Sequence, residues 1–243
     1  MTGPVLMLVW LLIVDMNPAA LSALFRGLWI DGVSRAGIGA GTMMLNSLIL
    51  ALGVAVLKGT FSLLAAYALV FFRLRYADLI FGVILLAMFF PVETRIIPTF
   101  EVAAGLGLLN SYSGMILPVV AGGLGVLVFR QFLQQLPVEL MEAAKIDGAG
   151  PRRFLIDIVV PVSLPMIAAV FAILFVLGWN QYVWPIMITT TSQSHDTLVR
   201  GMEYAGYGGK DGLALALLAL VPPTLIVLLL QRTLMRALAS GIH

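Results

Sequence analysis

The sequence contains no cysteine and little charge, and each shortage excludes a class of protein. Of its 243 residues, 11% are charged and 61% are hydrophobic, whereas soluble domains carry roughly 25% charged residues. This composition indicates a protein that is embedded largely in lipid. Without cysteine there are no disulfides, iron–sulfur clusters or thiolate zinc sites, and His195 and His243 are too few for an imidazole metal site. We therefore expect no metal centre in this chain.

Motifs for nucleotide binding and hydrolysis are also missing. The chain has no Walker A glycine loop, no H-E-x-x-H pair and no G-x-S-x-G elbow. It therefore cannot bind ATP in the P-loop manner, and it lacks the metal or nucleophile of an intramembrane hydrolase. The formal net charge is +2, but the basic residues are scattered between apolar segments and form no nucleic-acid patch. We expect a non-catalytic protein with no cofactor of its own.

Long apolar runs dominate what remains. A bilayer core about 30 Å thick requires about 20 apolar residues in a helix. The predicted spans are Met43–Phe72, Leu79–Val92, Tyr112–Phe129, Leu164–Val183 and Gly212–Gln231, with a short outer helix within 102–111. The run Pro4–Val14 is short for a span, and we expect a clipped or tilted first helix there. The predicted fold class is all-α, a polytopic membrane helix bundle of about six transmembrane helices. Residues 1–42 would form the first helix and an outer loop.

The distribution of lysine and arginine predicts the orientation of these spans. With the N-terminus inside, eight of the 14 basic residues lie on the cytoplasmic side, five lie outside, and Lys58 lies within the membrane. The short loops that follow Phe72 and Leu230 are basic, which supports this arrangement. We expect a multi-pass protein of the bacterial cytoplasmic membrane.

A cytoplasmic loop between two spans has the features of a short helix. Pro137 suits the first helical position, Glu139 suits the positive N-terminal end, and Gly148 suits a left-handed C-terminal cap. The small side chains of Ala143 and Ala144 would allow another backbone to approach closely. Such a helix could bind a partner protein, or it could rest on lipid headgroups as an amphipathic interfacial helix.

This loop resembles the EAA loop of permeases from binding-protein-dependent ABC importers. The matching residues are Glu142-Ala143-Ala144, Gly148, Ile158 and Pro161, while Val160 replaces the leucine that the pattern has before its last proline. In that family the loop is a coupling helix that sits in a groove of a separate ATPase subunit. The resemblance implies a type I importer permease domain over residues 43–243, with its coupling helix at about 137–149. It assigns ATPase coupling to Glu142, Ala143, Ala144, Asp147, Gly148, Ile158 and Pro161.

The same resemblance implies several partners and a substrate class. The partners are a second permease subunit that completes a heterodimer, two ATPase subunits that bind ATP and magnesium, an extracytoplasmic solute-binding protein, and membrane lipid. A narrower resemblance, to glycerol phosphate permeases of the maltose-type branch, rests on Lys58-Gly59, Pro91-Val92-Glu93 with Arg95, and Gly178-Trp179-Asn180-Gln181-Tyr182, among other residues. It implies transport of glycerol 3-phosphate or a related glycerophosphodiester, with a neutral sugar as the alternative.

Lys58 is the charge that most needs an explanation, because an ammonium group near the middle of a span costs several kcal/mol unless it faces a partner or water. It could attract an anionic substrate, or it could pair with a backbone carbonyl or a carboxylate. An ion-coupled carrier built around Lys58 is a rival interpretation. Such a carrier would normally show two related halves, which this sequence does not.

Two further groups are candidates for the substrate pathway. Trp179, Asn180, Gln181 and Tyr182 bring amides and aromatic rings together, a combination suited to polyols. The rings could equally form an aromatic belt at headgroup level, whereas the amides gain nothing from lipid. Glu93 and Arg95 could be an ordinary surface pair, a gate, or a contact for the binding protein.

Overall fold

Apolar sequence dictates helices here, because a backbone in lipid must satisfy its own hydrogen bonds. The computed structural model describes residues 18–30, 37–72, 74–190, 193–206 and 209–240, and within these ranges the chain is helical and contains no strand. The helices are α1 Pro18–Ile30, α2 Ala40–Phe71, α3 Ala77–Phe89, α4 Val92–Gly105, α5 Tyr112–Ile116, α6 Gly123–Leu133, α7 Val138–Ile146, α8 Pro151–Trp179, α9 Val183–Ile188, α10 Leu198–Ala205 and α11 Lys210–Ser240.

Three of these helices are long and apolar enough to cross a membrane by themselves. They are α2 with 32 residues, α8 with 29 residues, and the 22-residue part Lys210–Gln231 of α11. Two bent pairs, formed from α3 with α4 and from α5 with α6, would raise the number of spans to five if each pair crosses once. The multi-pass all-α prediction is confirmed. The predicted first helix at Pro4–Val14 lies outside the described residues, and α1 was not predicted.

The predicted span Tyr112–Phe129 is wrong as one continuous helix. Helix α5 ends at Ile116, a single 3-10 turn follows over Leu117–Val119, and α6 begins only at Gly123. Pro118 has no backbone N–H to continue the helix, and Gly122 takes an extended conformation with φ −175°. The chain therefore breaks in the middle of this apolar run.

The predicted span Leu164–Val183 is displaced in the structure. Helix α8 begins at Pro151, which occupies its first turn, and ends at Trp179. Pro161 and Pro165 both lie inside it, just after a π turn over Leu155–Val159. A π turn absorbs the backbone bond that a proline cannot make, so the helix continues through the two prolines instead of starting after them.

The chain divides into two compact units. Unit A comprises residues 1–52, 96–118 and 176–226, and unit B comprises residues 53–95, 119–175 and 227–243. Buried side chains of unit A include Met43, Leu50, Met115, Trp179, Ile188, Leu198 and Leu215, and those of unit B include Tyr67, Phe129, Leu133, Val159, Leu174 and Phe175. Small residues bring helices together within each unit. In unit B, a Cβ on Gly125 would collide with Ser62, so α6 and α2 are in close contact there.

Helix α3 shows where apolar surface remains outside these cores. None of its residues is buried, and Leu79, Leu86 and Phe89 are each more than half exposed. A face of this kind suits lipid or another transmembrane subunit.

Candidate functional site

Helix α7 carries the residues of the EAA-like loop. Pro137 was predicted at the first helical position, but it is the N-cap residue, and the helix begins at Val138 with Glu139 in its first turn. At the other end, the backbone N–H of Gly148 donates to the Lys145 carbonyl at 3.1 Å, and that of Ala149 donates to the Ala144 carbonyl at 2.8 Å. Gly148 has a φ of 68°, a left-handed conformation that glycine adopts without steric cost. The loop is therefore a short helix with a defined end.

The two alanines of this loop have different environments. Ala144 is buried with 3% of its surface exposed, whereas Glu142, Ala143, Asp147 and Gly148 are exposed. Ala144 lines a cavity of about 210 Å³ together with four aromatic residues, which we call the aromatic cluster: Tyr67, Phe71, Phe72 and Phe154. One side of α7 is therefore anchored in unit B, and the other side is open for a partner.

The aromatic cluster connects α7 to the ends of two long helices. Tyr67 and Phe71 lie in the last turns of α2, and Phe154 lies at the start of α8. The Phe71 and Phe154 rings are 5.2 Å apart at their centroids, and the Tyr67 hydroxyl donates to the Pro151 carbonyl at 2.8 Å. Ile158 lines a second cavity of about 300 Å³ beside this cluster, and Pro161 is exposed on α8.

Lys58 lies within α2, and its ammonium group binds backbone at the break between α5 and α6. Its Nζ donates to the Val119 carbonyl at 3.1 Å, which is its one hydrogen bond among the described residues. A Cβ on Gly122 would collide with the end of the Lys58 side chain, so the lysine passes directly over this glycine and would have to shift if a larger residue replaced it. Of the two roles considered for Lys58, the carbonyl contact is present, and contact with an anion stays a prediction.

The residues around Lys58 include a second cation. Arg95 lies on α4 and is exposed, and its charge repels the Lys58 ammonium. Glu93 lies on the same helix, but its side chain is not among those described. The fold of unit B thus lets the Arg95 charge act on Lys58, although the two residues are 37 positions apart in the sequence.

The Trp179–Tyr182 segment is the end of α8 and the loop that follows, and not the interior of a span. The Trp179 indole is buried and donates to the Ala219 carbonyl at 3.0 Å. The Asn180 amide donates to the Val176 carbonyl at 2.8 Å, and the Tyr182 hydroxyl donates to a Glu203 carboxylate oxygen at 2.6 Å. The buried Oε1 of Gln181 has no hydrogen-bond partner among the described residues. Gln181 is therefore the member of this group best able to accept a bond from a ligand.

Unit A also contains a cluster of buried and half-buried polar side chains that the sequence did not reveal, which we call the polar clamp: Asn46, Ser47, Tyr112, Asp196, Arg200 and Tyr204. The Asn46 amide donates to the Ser194 and Asp196 carbonyls at 2.8 and 2.9 Å, and its Oδ1 accepts from the Tyr112 hydroxyl at 2.7 Å. The Ser47 hydroxyl accepts from the Leu198 N–H at 2.8 Å. These bonds attach the segment before α10 to α2.

Asp196 is the charged centre of the polar clamp. It is fully buried, and it accepts from Arg200 at 2.7 Å and from the Tyr204 hydroxyl at 3.1 Å. Burial raises the pKa of Asp196, and the Arg200 charge and the Tyr204 bond oppose this rise. Two signals in the sequence could have indicated the clamp: Asn46-Ser47 inside an apolar run, and Asp196 four residues before Arg200.

No group of three or more His, Asp or Glu side chains suited to a metal occurs in the described parts of the chain. The arrangement consists instead of an exposed loop helix, a cation at a helix break, and a polar clamp. These features suit a protein that moves a solute and binds partners.

Comparisons with known proteins agree with this arrangement. Residues 19–240 match the model of a family described as "binding-protein-dependent transport system inner membrane component". The chain is 43% identical over 221 residues to the "sn-glycerol-3-phosphate transport system permease protein UgpE" of Pectobacterium atrosepticum, which covers 89% of this chain and 79% of that protein. It is 45% identical over 220 residues to the protein of the same description from Yersinia pestis bv. Antiqua, covering 88% and 78%. This chain therefore belongs to the family of binding-protein-dependent transport system inner membrane components.

Proposed function

We propose that this chain is a permease subunit of an ABC importer that carries glycerol 3-phosphate, or a related glycerophosphodiester, across the bacterial cytoplasmic membrane. The observation that carries this proposal is the identity of 43–45% with glycerol-3-phosphate permeases over 88–89% of the chain. Both of these relatives are described as glycerol-3-phosphate permeases, and transport of a neutral sugar is the alternative.

The partners proposed are a second permease subunit, two ATPase subunits that bind ATP and magnesium, and an extracytoplasmic solute-binding protein. The chain has no Walker A loop, so the energy for import must come from another polypeptide. The apolar face of α3, which has no buried residue, is suited to lipid or to the second permease.

The ATPase would act on α7. Glu142, Ala143 and Asp147 offer an exposed surface with two carboxylates and one small side chain between them. On the opposite side Ala144 is buried near the aromatic cluster. When α7 is displaced, it would therefore push on the aromatic cluster, and Phe71 and Phe154 would move the ends of α2 and α8. Packed side chains transmit such a displacement because cores resist compression.

Lys58, Arg95 and Gln181 are each proposed as residues of the substrate pathway. Gln181 has a buried amide oxygen that could accept from a glycerol hydroxyl. Trp179, Asn180 and Tyr182 have protein partners already, so we assign them to positioning Gln181. Glu93 remains a candidate for a gate or a binding-protein contact.

Transport assays on the assembled importer test this function. The chain would be co-expressed with its partner subunits and reconstituted into proteoliposomes with the loaded binding protein. We expect uptake of labelled glycerol 3-phosphate that requires ATP hydrolysis and does not occur with an ion gradient alone. Uptake of maltose-type sugars but of no glycerol phosphate, or uptake driven by an ion gradient, would overturn the proposal.

Cross-linking tests the role of α7 separately. Because the chain has no cysteine, a single introduced cysteine supplies its only thiol. Ala143→Cys should form a cross-link to the ATPase subunit, and Ala144→Cys is the matched control because its side chain is buried. Equal cross-linking at both positions, or none at Ala143, would contradict the docking of an ATPase on this face.

A further inference from the structure

The cavity of about 210 Å³ beside the aromatic cluster has mostly apolar walls and one charged side chain, and we call it the aromatic cavity. The Tyr67 hydroxyl is already bonded to the Pro151 carbonyl, so most of the wall consists of rings and aliphatic groups. Sites that enclose a whole drug-sized ligand have volumes of about 300–1,000 Å³. The aromatic cavity is smaller and suits part of a chain-like molecule. Besides the four rings, its lining residues are Met141, Ala144, Lys145, Ala149 and Pro151.

Lys145 is the charged residue of this wall. It lies beside Met141 and Ala144 on α7, because residues three and four apart share a side of a helix, whereas Ala143 lies on a different side. Lys145 is exposed and forms no ion pair with any described residue. Its ammonium group is therefore available to a ligand at the opening of the aromatic cavity.

A second cation follows the cavity wall in the chain. Pro151 lines the cavity, and the next residue, Arg152, is exposed and has no carboxylate partner in the described part of the chain. Its neighbour Arg153 differs, because it binds Asp157 at 3.3 Å. One basic residue in the wall and one next to it thus lack a counter-charge, which favours an anionic ligand.

The position of the aromatic cavity matches the edge of the lipid bilayer. Phe71 ends the candidate span α2, and Phe154 lies in the first turn of the candidate span α8. Phe72, which follows α2, is 51% exposed. The distribution of basic residues assigns this edge to the cytoplasmic side, where anionic phospholipids attract lysine and arginine near the membrane. A molecule with an apolar chain and an anionic headgroup matches both parts of the site.

We infer that the aromatic cavity binds an anionic phospholipid, with part of an acyl chain between the rings and the headgroup phosphate at Lys145 and Arg152. Ammonium and guanidinium groups donate charge-assisted hydrogen bonds to phosphate oxygens. The lipid would pack against Ala144, which lines the cavity, and would leave Glu142 and Ala143 exposed for the ATPase. This inference goes beyond the proposed function and does not depend on the identity of the solute.

Lipid binding to the purified full chain in a non-ionic detergent tests this inference. Native mass spectrometry would count bound phosphatidylglycerol and bound phosphatidylcholine with the same acyl chains. We expect one phosphatidylglycerol to bind preferentially. Lys145→Gln and Arg152→Gln should each weaken its binding about fivefold, the effect of one basic side chain at an anionic surface. Lys210→Gln is the matched control, because Lys210 is an exposed lysine at the start of α11 that does not line the cavity.

Two further measurements separate the acyl chain from the headgroup. Ala149→Leu places a larger side chain in the wall of the cavity, so it should weaken phosphatidylglycerol binding although both cations remain. Excess inorganic phosphate should not displace the lipid, because it has no chain to place between the rings.

Three results would overturn the lipid site. The first is equal binding of the two lipids, or Lys145→Gln and Arg152→Gln variants that behave like Lys210→Gln. The second is displacement by inorganic phosphate, which would indicate a simple anion site. The third is loss of ATPase-subunit binding in the same two variants with lipid binding unchanged, which would assign both cations to the ATPase contact. None of these measurements involves transport, so each failure would leave the proposed function standing.

Discussion

Two regions of the molecule each contain an Asp–Arg pair with four-residue spacing, and the two pairs differ in almost every other respect. In the polar clamp, Arg200 binds Asp196 at 2.7 Å, and the two side chains are 18% and 0% exposed. In the first turns of α8, Arg153 binds Asp157 at 3.3 Å, and the side chains are 71% and 57% exposed. The same spacing on the chain therefore produces one buried pair and one solvent-exposed pair.

The surroundings of the two pairs explain the difference. Asp196 also accepts from Tyr204, and its backbone carbonyl accepts from Asn46, so a network of hydrogen bonds surrounds its charge. The Arg153 pair follows α7 in the chain, and most residues of α7 are exposed. One region thus holds its segment in a fixed position, and the other presents a surface. Ion-pair spacing alone does not indicate which of these a region does, because burial sets the energy of an ion pair.

The largest expected effect comes from breaking the buried pair. Asp196→Ala leaves the partly buried Arg200 charge without its carboxylate, which costs about 3 kcal/mol, the lower end of the range for a broken buried pair. The matched change Asp157→Ala should cost about 0.5 kcal/mol or less, because exposed pairs contribute little. Thermal unfolding of the purified variants in detergent, followed by tryptophan fluorescence, measures both. If Asp196→Ala and Asp157→Ala lowered the unfolding temperature by similar amounts, burial would not explain the difference between the two ion pairs.

The next effect comes from the uncharged part of the clamp. Asn46→Ala removes three hydrogen bonds from a buried site, and we expect a loss of about 2–3 kcal/mol because each buried group left unsatisfied costs about 1–3 kcal/mol. Asn180→Ala is the control, since that exposed amide makes one local bond to Val176. The same unfolding experiment compares them. A smaller effect for Asn46 than for Asn180 would show that the clamp does not hold this region.

Two glycines after α7, Gly148 and Gly150, test whether the exposed loop transmits force. Gly148 has a φ of 68°, whereas Gly150 has a φ of −70°, and neither would place a Cβ within 4 Å of another group. Gly148→Ala should therefore strain the end of α7 by about 1–2 kcal/mol, while Gly150→Ala should not. In the reconstituted importer we expect Gly148→Ala, and more strongly Gly148→Asp, to lower solute imported per ATP severalfold. Normal coupling in the Gly148 variants would contradict force transmission through this loop.

The smallest expected effect concerns the anchor beneath α7. Tyr67→Phe removes the hydroxyl that binds the Pro151 carbonyl but keeps the ring in the aromatic cluster. We expect a loss of about 1 kcal/mol, the net value of one hydrogen bond. Tyr76→Phe, at an exposed tyrosine whose hydroxyl makes no hydrogen bond to the described residues, should leave the unfolding midpoint unchanged. Equal midpoints for the two variants would show that this bond contributes no stability.

Local features of the sequence predicted much of the fold. The apolar run beginning at Met43 predicted α2, because hydropathy depends only on neighbouring residues. The interval from Pro137 to Gly148 predicted α7 and its left-handed end for the same reason. Hydropathy failed at Tyr112–Phe129 and at Pro161, where a break and a π turn depend on backbone bonds that hydropathy does not measure.

The sequence by itself determined that the chain lies largely in lipid, that its fold is all-α, and that the cytoplasmic loop forms a short helix. The reason is that composition and short-range spacing decide whether a segment enters lipid and where a helix ends. Only the tertiary structure decided which polar groups meet: Asn46 with Asp196, Lys58 with Val119, and Ala144 rather than Ala143 facing inward. The physical reason is that these contacts join residues distant in sequence or depend on which face of a helix is packed. A polar side chain in lipid must find a partner, but its own segment does not specify which one.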